Sequence, residues 1–456
     1  GRVWGVLVAG RGTAAGSAAT AKSTHTPVRV YSALFDSRRV ANRRGWRPSR
    51  DPFEEKANFP DEFLGNTYSL NFSLCKQSLV PRNNAYQNLF PRGLQMLTRA
   101  PVDSASKAVV VKEGDGSSLP TYVLESDSSL ADGDTPVSLA DFRLLFKTLR
   151  RSLSTSPDLF VTDAALGSDP RVEVATRVLT DSAVVGLYMH HMLPRARLPA
   201  DAEDVTPVLN VYVTDRIAFS SNEDADVSLF DRPFVARDLG KGNLVVVGSP
   251  STAFLENTIA DFYAQYVAAK HPEVDVIAAG ASRDAAGLTS LVFDFDANPY
   301  DTARGFADSA AAAGGIILHD GGIARVWDGV HSADLAPARG DLLHTAAGGT
   351  YTTTSLPKRG NAVTAPHQVV ILTRGSGKNF PAVGTLAAKD ALPLLSRFVK
   401  AGSSVRLEQI VTSAGNVVVV KSKNGTSANL AQALSADSLA KATKLSANQA
   451  KKLLPK

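Results

Sequence analysis

The stretch Leu159–Arg195 reads LFVTDAALGSDPRVEVATRVLTDSAVVGLYMHHMLPR, and its pattern decides the fold. Leu159–Thr162 is a short apolar run of strand type. Gly167-Ser168-Asp169-Pro170 is turn chemistry, because glycine tolerates positive φ and proline fixes φ. Val172, Val174 and Ala175 resume the strand pattern, and Val178–Met192 has the length and apolar spacing of a helix. Strand, turn, strand and helix in this order predict an α/β body.

The chain around it has 456 residues, enough for two or three domains and a large core. Its apolar content of 44% and charged content of 20% fit a soluble globular protein. No run approaches the roughly 20 apolar residues of a membrane helix. Cys75 is the only cysteine, which excludes an internal disulfide and a cysteine-built zinc or iron–sulfur site. The net charge of +5 is unevenly placed. Residues 1–60 hold eleven Lys and Arg against four Asp and Glu, a balance of +7 that leaves −2 for the rest. The basic character belongs to an N-terminal arm. That argues against a broad nucleic-acid-binding face on the body, while an arm that threads along RNA or acidic protein surfaces stays open.

Residues 1–35 contain no acidic residue and are rich in Ala, Gly, Ser and Thr, with Arg2, Arg11, Lys22 and Arg29. This is the composition of an organellar targeting region, and a mitochondrial location is expected. The first residue is Gly1 and not Met, as in an already processed chain. Gly10, Gly12 and Gly16 mimic a dinucleotide fingerprint with the wrong spacing, so the segment reads as arm. Farther on, Arg38, Arg39, Arg43, Arg44, Arg47 and Arg50 surround Trp46, and Phe53, Phe59, Phe63, Tyr68, Phe72, Tyr86 and Phe90 follow among prolines. Disordered linkers lack aromatics, and long loops inside compact domains are rare. The segment is therefore expected to lie extended on partner subunits, with Arg38–Arg50 as its binding cluster; an irregular N-terminal subdomain is the alternative.

The body is expected from Pro91. Ser138–Leu153 reads as an amphipathic helix with Ser138 and Asp141 in a capping pattern. Strands are expected at Ala108–Val111, Val208–Val213, Leu244–Val247, Val274–Ala278, Thr289–Phe295, Gly315–Leu318, Gln368–Thr373 and Val417–Val420, and helices at Ala253–Ala269 and Lys389–Lys400. Asn424-Gly425 suggests a hairpin turn, and Leu430–Leu454 one or two helices.

The order of residues in Leu159–Arg195, with Asp163, Gly167, Arg171 and Arg177 in sequence, resembles the ATP-dependent phosphoenolpyruvate carboxykinases. Arg99, Pro101 and Asp103 match a second motif of that family, and Asn379–Lys400 matches a third, so the likeness spans about residues 91–400. It implies an α/β fold: a carboxykinase-like two-lobed mixed-sheet body with an extended irregular N-terminal arm. The corresponding division is an arm at 1–90, an N-terminal domain at 91–270, a degenerate nucleotide-binding domain at 271–410 and a basic tail at 411–456.

The family's chemistry needs a glycine-rich loop with Lys and Thr for ATP and Mg²⁺. It also needs a Lys, a His and an Asp around a second metal, arginines for the dicarboxylate, and a tyrosine. The phosphate loop is expected after Leu288–Phe293, where Asp294-Phe295-Asp296-Ala297-Asn298-Pro299-Tyr300-Asp301-Thr302 stands. No glycine is left, Tyr300 takes the Lys position and Asp301 the first Thr position. The carboxylates of Asp294, Asp296 and Asp301 repel polyphosphate. Ser251 stands for the tyrosine, and Glu256 and Asn257 for two lysines. Ala278–Ser282 has no His, His319-Asp320 leaves Asp320 as the one relic of the metal set, and Tyr351–Pro357 has no Arg. Arg99 alone survives of the substrate residues. Gly375-Ser-Gly-Lys378 is half a phosphate loop, followed by Asn379 where Ser or Thr is needed. His190 and His191 are adjacent on a helix and face different ways, a poor metal pair.

The expectation is thus an inactive, C-terminally truncated relative with no cofactor. It would serve as a structural accessory subunit of a large mitochondrial assembly, an ATP synthase or respiratory complex first, with no transmembrane segment of its own. The alternatives are a mitochondrial ribosomal protein touching rRNA through its arm, and a divergent active carboxykinase.

Overall fold

The computed structural model describes residues 74, 77–112, 119–127, 133–169, 171–193, 208–215, 217, 232–283, 289–295, 311–312, 315–320, 322–332, 336–346, 349–355, 366–373, 382–421, 436–446 and 448–449. The architecture is mixed α/β, with four sheets and, among the described residues, helices α1 (Pro91–Leu97), α2 (Leu139–Thr155), α3 (Ala183–Met192), α4 (Thr252–Lys270), α5 (Ala388–Leu395), α6 (Val405–Ala414) and α7 (Ala436–Ala440). No described helix is long and apolar enough to cross a membrane.

An eight-stranded sheet forms the first half. Its order is Asn84–Gln87, Asp158–Leu166, Val174–Thr180, Leu209–Thr214, Asn243–Val247, Phe234–Asp238, Thr121–Leu124 and Thr135–Val137. The opening stretch supplies its antiparallel pair, with Phe160 opposite Thr180 and Asp163 opposite Arg177. Both faces of this sheet are buried, which is why its strands read as nearly continuous apolar runs. Leu159, Val161, Leu179, Tyr212 and Val245 meet Phe142, Leu145, Phe146 and Leu149 of α2 on one side. Phe160, Val178, Val211 and Val246 share the other core with Leu187 and Tyr188 of α3 and Leu255 and Ile259 of α4. The Ser138 hydroxyl accepts from the Asp141 backbone N–H and caps α2 as its sequence predicts.

The opening stretch departs from expectation at one boundary. The strand runs to Thr180 and α3 begins only at Ala183, because the Ser182 hydroxyl accepts from the Val185 N–H and fixes the helix start there. The turn is real. Gly167 has φ +85°, and a Cβ there would lie 2.4 Å from the Tyr263 hydroxyl and 2.7 Å from the Val172 carbonyl.

The second half holds three sheets. Six strands run in the order Gly280–Arg283, Thr289–Asp294, Gln368–Thr373, Asn416–Lys421, Val383–Ala387 and Thr443–Lys444. Four antiparallel strands are Gly322–Arg325, Ile316–His319, Asp275–Ile277 and Val399–Ala401. Five are Ala311–Ala312, Gly329–Ser332, Gly349–Ser355, Leu342–Ala346 and Val109–Lys112.

Three expected boundaries move. Asn84–Gln87 pairs in parallel with Asp158–Val161, and Tyr86 is buried against Phe160, so the body begins before residue 91. Asn416–Lys421 lies inside the six-stranded sheet, so residues from 411 on are not simply a tail. Val109–Lys112 pairs with Leu342–Thr345, and one core takes in Val178, Val246, Ile317, Trp327 and Leu342, so apolar packing is continuous across residues 270 and 271. The expected helix Lys389–Lys400 ends as α5 at Leu395, and Val399–Ala401 turns into a strand on Val276 and Ile277. Asn424-Gly425 lies outside the described residues. Of Leu430–Leu454, the described part forms the short α7 and the edge strand Thr443–Lys444.

Candidate functional site

The residues that the family likeness singled out do not share one cleft. Arg99 follows α1 and lines a cleft of about 530 Å³ with Thr155 and Ser156 at the end of α2, Asp158 at the start of the strand Asp158–Leu166, Asp181 and Ser182 just before α3, and Asp215. Neither Glu256, Asp294 nor Asp320 lines it. Arg99 itself is exposed.

The charges in this cleft oppose a dicarboxylate. Three carboxylates face one guanidinium. Asp181 accepts from the Thr214 hydroxyl at 2.7 Å through Oδ2, while its Oδ1 is shielded from water with no donor among the described residues. Desolvation raises the Asp181 carboxyl above the usual range; the Thr214 bond opposes this and the Asp215 charge adds to it. Asp215 accepts from the Ser249 hydroxyl at 2.9 Å, and Asp158 from the Asn84 amide at 3.0 Å. Each of the three carboxylates thus holds one donor of the chain, and an incoming anion would meet them.

The expected phosphate-loop position is described only at its start. Asp294 ends the strand Thr289–Asp294; Asp296, Asn298, Tyr300 and Asp301 lie outside the described residues. Phe295, where the chain leaves the strand, is buried against Phe398 at 4.9 Å, under the Arg397 guanidinium at 4.1 Å. A large anchored ring at this point does not fit a loop whose backbone must wrap phosphates. Gly375–Lys378 and the cluster Arg38, Arg39, Arg43, Arg44, Trp46, Arg47 and Arg50 also lie outside the described residues.

Asp320 sits in an exposed ion pair with Arg406. Beside it, His319 Nε2 lies 3.3 Å from Asp169, whose carboxylate also takes two bonds from Arg171 at 2.9 and 2.7 Å. Those bonds hold the Asp169 carboxyl down at about 2. Among the described residues no three of His, Cys, Asp and Glu are placed to hold a metal ion together. Ala279 and Ala281 are buried core residues at the position expected for a metal-binding His.

Glu256 gives the largest departure. Read as a lost lysine, it is a buried hub. Its Oε2 accepts from the Tyr188 hydroxyl at 2.8 Å and lies 3.0 Å from His331 Nε2; His331 Nδ1 lies 2.7 Å from the Thr353 hydroxyl. The Tyr188 ring stacks on His331, and His344 packs edge-on against both. Glu256 and His331 are each 1% exposed. Sequence reading missed this cluster, since its partners lie 68 and 75 residues apart on different elements and no spacing marks them. His190 and His191 do face different ways: His191 is buried with Nε2 2.8 Å from the Gly340 carbonyl.

Comparison with known proteins finds no family model that matches the chain and no curated protein significantly similar to it.

Proposed function

We propose that this chain is a non-catalytic structural subunit of a large mitochondrial assembly, an ATP synthase or respiratory complex first, built on a carboxykinase-like body that has retired from catalysis. The Arg99 cleft carries the reading. Its three carboxylates disfavour the dicarboxylate that a carboxykinase must hold, by repulsion and by the cost of desolvating a second anion beside Asp181. The anchored Phe295, the Arg406 pair on Asp320 and the enclosed Glu256 support it at three other positions. A basic, aromatic-bearing arm suits a chain that binds by lying on neighbours.

Purified chain given oxaloacetate, ATP and Mn²⁺ is expected to form no phosphoenolpyruvate above the uncatalysed background. Turnover that disappears in Arg99→Ala would overturn the reading and restore the active carboxykinase. The ribosomal alternative rests on the Arg38–Arg50 cluster. It predicts co-purified rRNA with crosslinks concentrated there, and protein crosslinks alone favour the membrane-complex reading.

A further inference from the structure

Among the described residues the buried histidines are three, His191, His331 and His344, and all three lie in one joint. The joint is where α3 and α4 pack on the five-stranded sheet. His191 reaches from α3 to the Gly340 carbonyl. His331, on Gly329–Ser332, binds Glu256 of α4. His344, on Leu342–Ala346, packs edge-on to the rings of Tyr188 and His331, and its Nδ1 is 3.5 Å from the Thr252 hydroxyl. The contact is close: the Asp328 N–H donates to the Met192 carbonyl at 2.8 Å, and a Cβ on Gly329 would lie 2.5 Å from Met192 Sδ and 2.6 Å from the His191 carbonyl.

We propose that this joint is an acid-released latch, which holds the five-stranded sheet on α3 and α4 near neutral pH and lets it part as the enclosed His191 takes up a proton. The titratable groups facing the rings are Tyr188 and Glu256 inside, with His190 and Asp341 at the rim of His191. The one enclosed carboxylate, Glu256, is already engaged by His331 and Tyr188, and His191 has only Asp341 at its rim. A further charged ring in this enclosed site gains more by meeting water, so protonation and opening are linked. Burial lowers the affinity of His191 for a proton, and the Gly340 carbonyl and Asp341 only partly offset this. The sign follows. An imidazole that is harder to protonate when closed favours the closed joint above its free value of about 6.5. Below that, each proton taken up on opening shifts the equilibrium toward the open form about tenfold per pH unit.

The test is amide hydrogen exchange on the full chain from pH 7.5 to 5.0, with rates divided by the intrinsic exchange rate at each pH. Protection in Gly329–Ser332 and Gly349–Ser355 is expected to fall about tenfold or more per pH unit below about 6.5, while Asp158–Leu166 and Leu209–Thr214 keep theirs. His191→Gln with His344→Phe, which retain an amide donor and a ring, should flatten that fall. If the double variant does not fold, wild-type histidine C2–H exchange decides. Divided by the rate of free histidine at each pH, because C2–H exchange itself slows as pH falls, exchange at His331 and His344 should be slow at pH 7.5 and quicken with the same midpoint as the amides. A flat protection profile, an equal loss in both sheets, an unchanged slope in the folded double variant, or C2–H exchange that ignores the amide midpoint would each overturn the latch.

Discussion

Asp163→Ala is expected to destabilise the fold by about 3–5 kcal/mol, the cost of stranding a buried charge. Arg177 is fully buried, and its Nε donates to Asp163 Oδ1 at 2.5 Å across the antiparallel pair of the opening stretch. The other carboxylate oxygen accepts from the Gln87 amide at 2.6 Å, so the pair ties the edge strand Asn84–Gln87 to the next two strands of the sheet. Removing the carboxylate leaves a guanidinium in a low-dielectric core. Against a domain stability of about 5–15 kcal/mol that is a large share. Urea unfolding followed by circular dichroism should show a markedly lower midpoint for Asp163→Ala. The double variant Asp163→Leu/Arg177→Met should recover much of the loss, because paired removal leaves no unmatched charge. Equal loss in the single and double variants would contradict this assignment.

The second large effect is expected at Asp275. Its fully buried carboxylate accepts four backbone N–H groups: Ser403 and Ser404 on Oδ1 at 2.9 and 3.0 Å, Arg406 and Leu407 on Oδ2 at 2.9 and 3.1 Å. It thereby caps α6 from 131 residues away and satisfies donors that the helix start cannot. Gly402, at φ +115°, brings the loop so close that a Cβ would sit 2.4 Å from Oδ1. Asp275→Asn keeps the shape but turns an amide N–H₂ toward two N–H donors at one end of the group. Two hydrogen bonds to a charged acceptor at about 1.5–3 kcal/mol each put the loss near 3–6 kcal/mol. Hydrogen exchange should show α6 and the Val399–Ala401 edge deprotected first, with the eight-stranded sheet retained. An unchanged α6 would contradict the capping role.

What the sequence made legible is what local physics controls. Ser138 with Asp141 marks the start of α2, Gly167 marks a turn that only glycine fits, and the apolar runs at Val245–Val247 and Gln368–Thr373 are strands. Apolar spacing alone starts α3 five residues early, at Val178, because Val178–Thr180 suits both strand and helix; Ser182 decides it by capping. Long-range partners left no trace. Glu256 reads as a lost lysine until His331 and Tyr188 are seen around it, and Asp275 reads as an ordinary strand residue. Val109–Lys112 joins a sheet whose other strands come more than 200 residues later. Arg99 reads as a relic from its motif, but the carboxylates that set the sign of its cleft come from three separate elements.

Native electrophoresis of a mild-detergent mitochondrial extract, probed for this chain, decides between a structural subunit and a free protein. As a subunit the chain is expected to migrate with a complex many times its own 48.1 kDa mass and to be recovered with the same protein subunits after a second, denaturing dimension. A chain that runs as a free monomer under that extraction would contradict it.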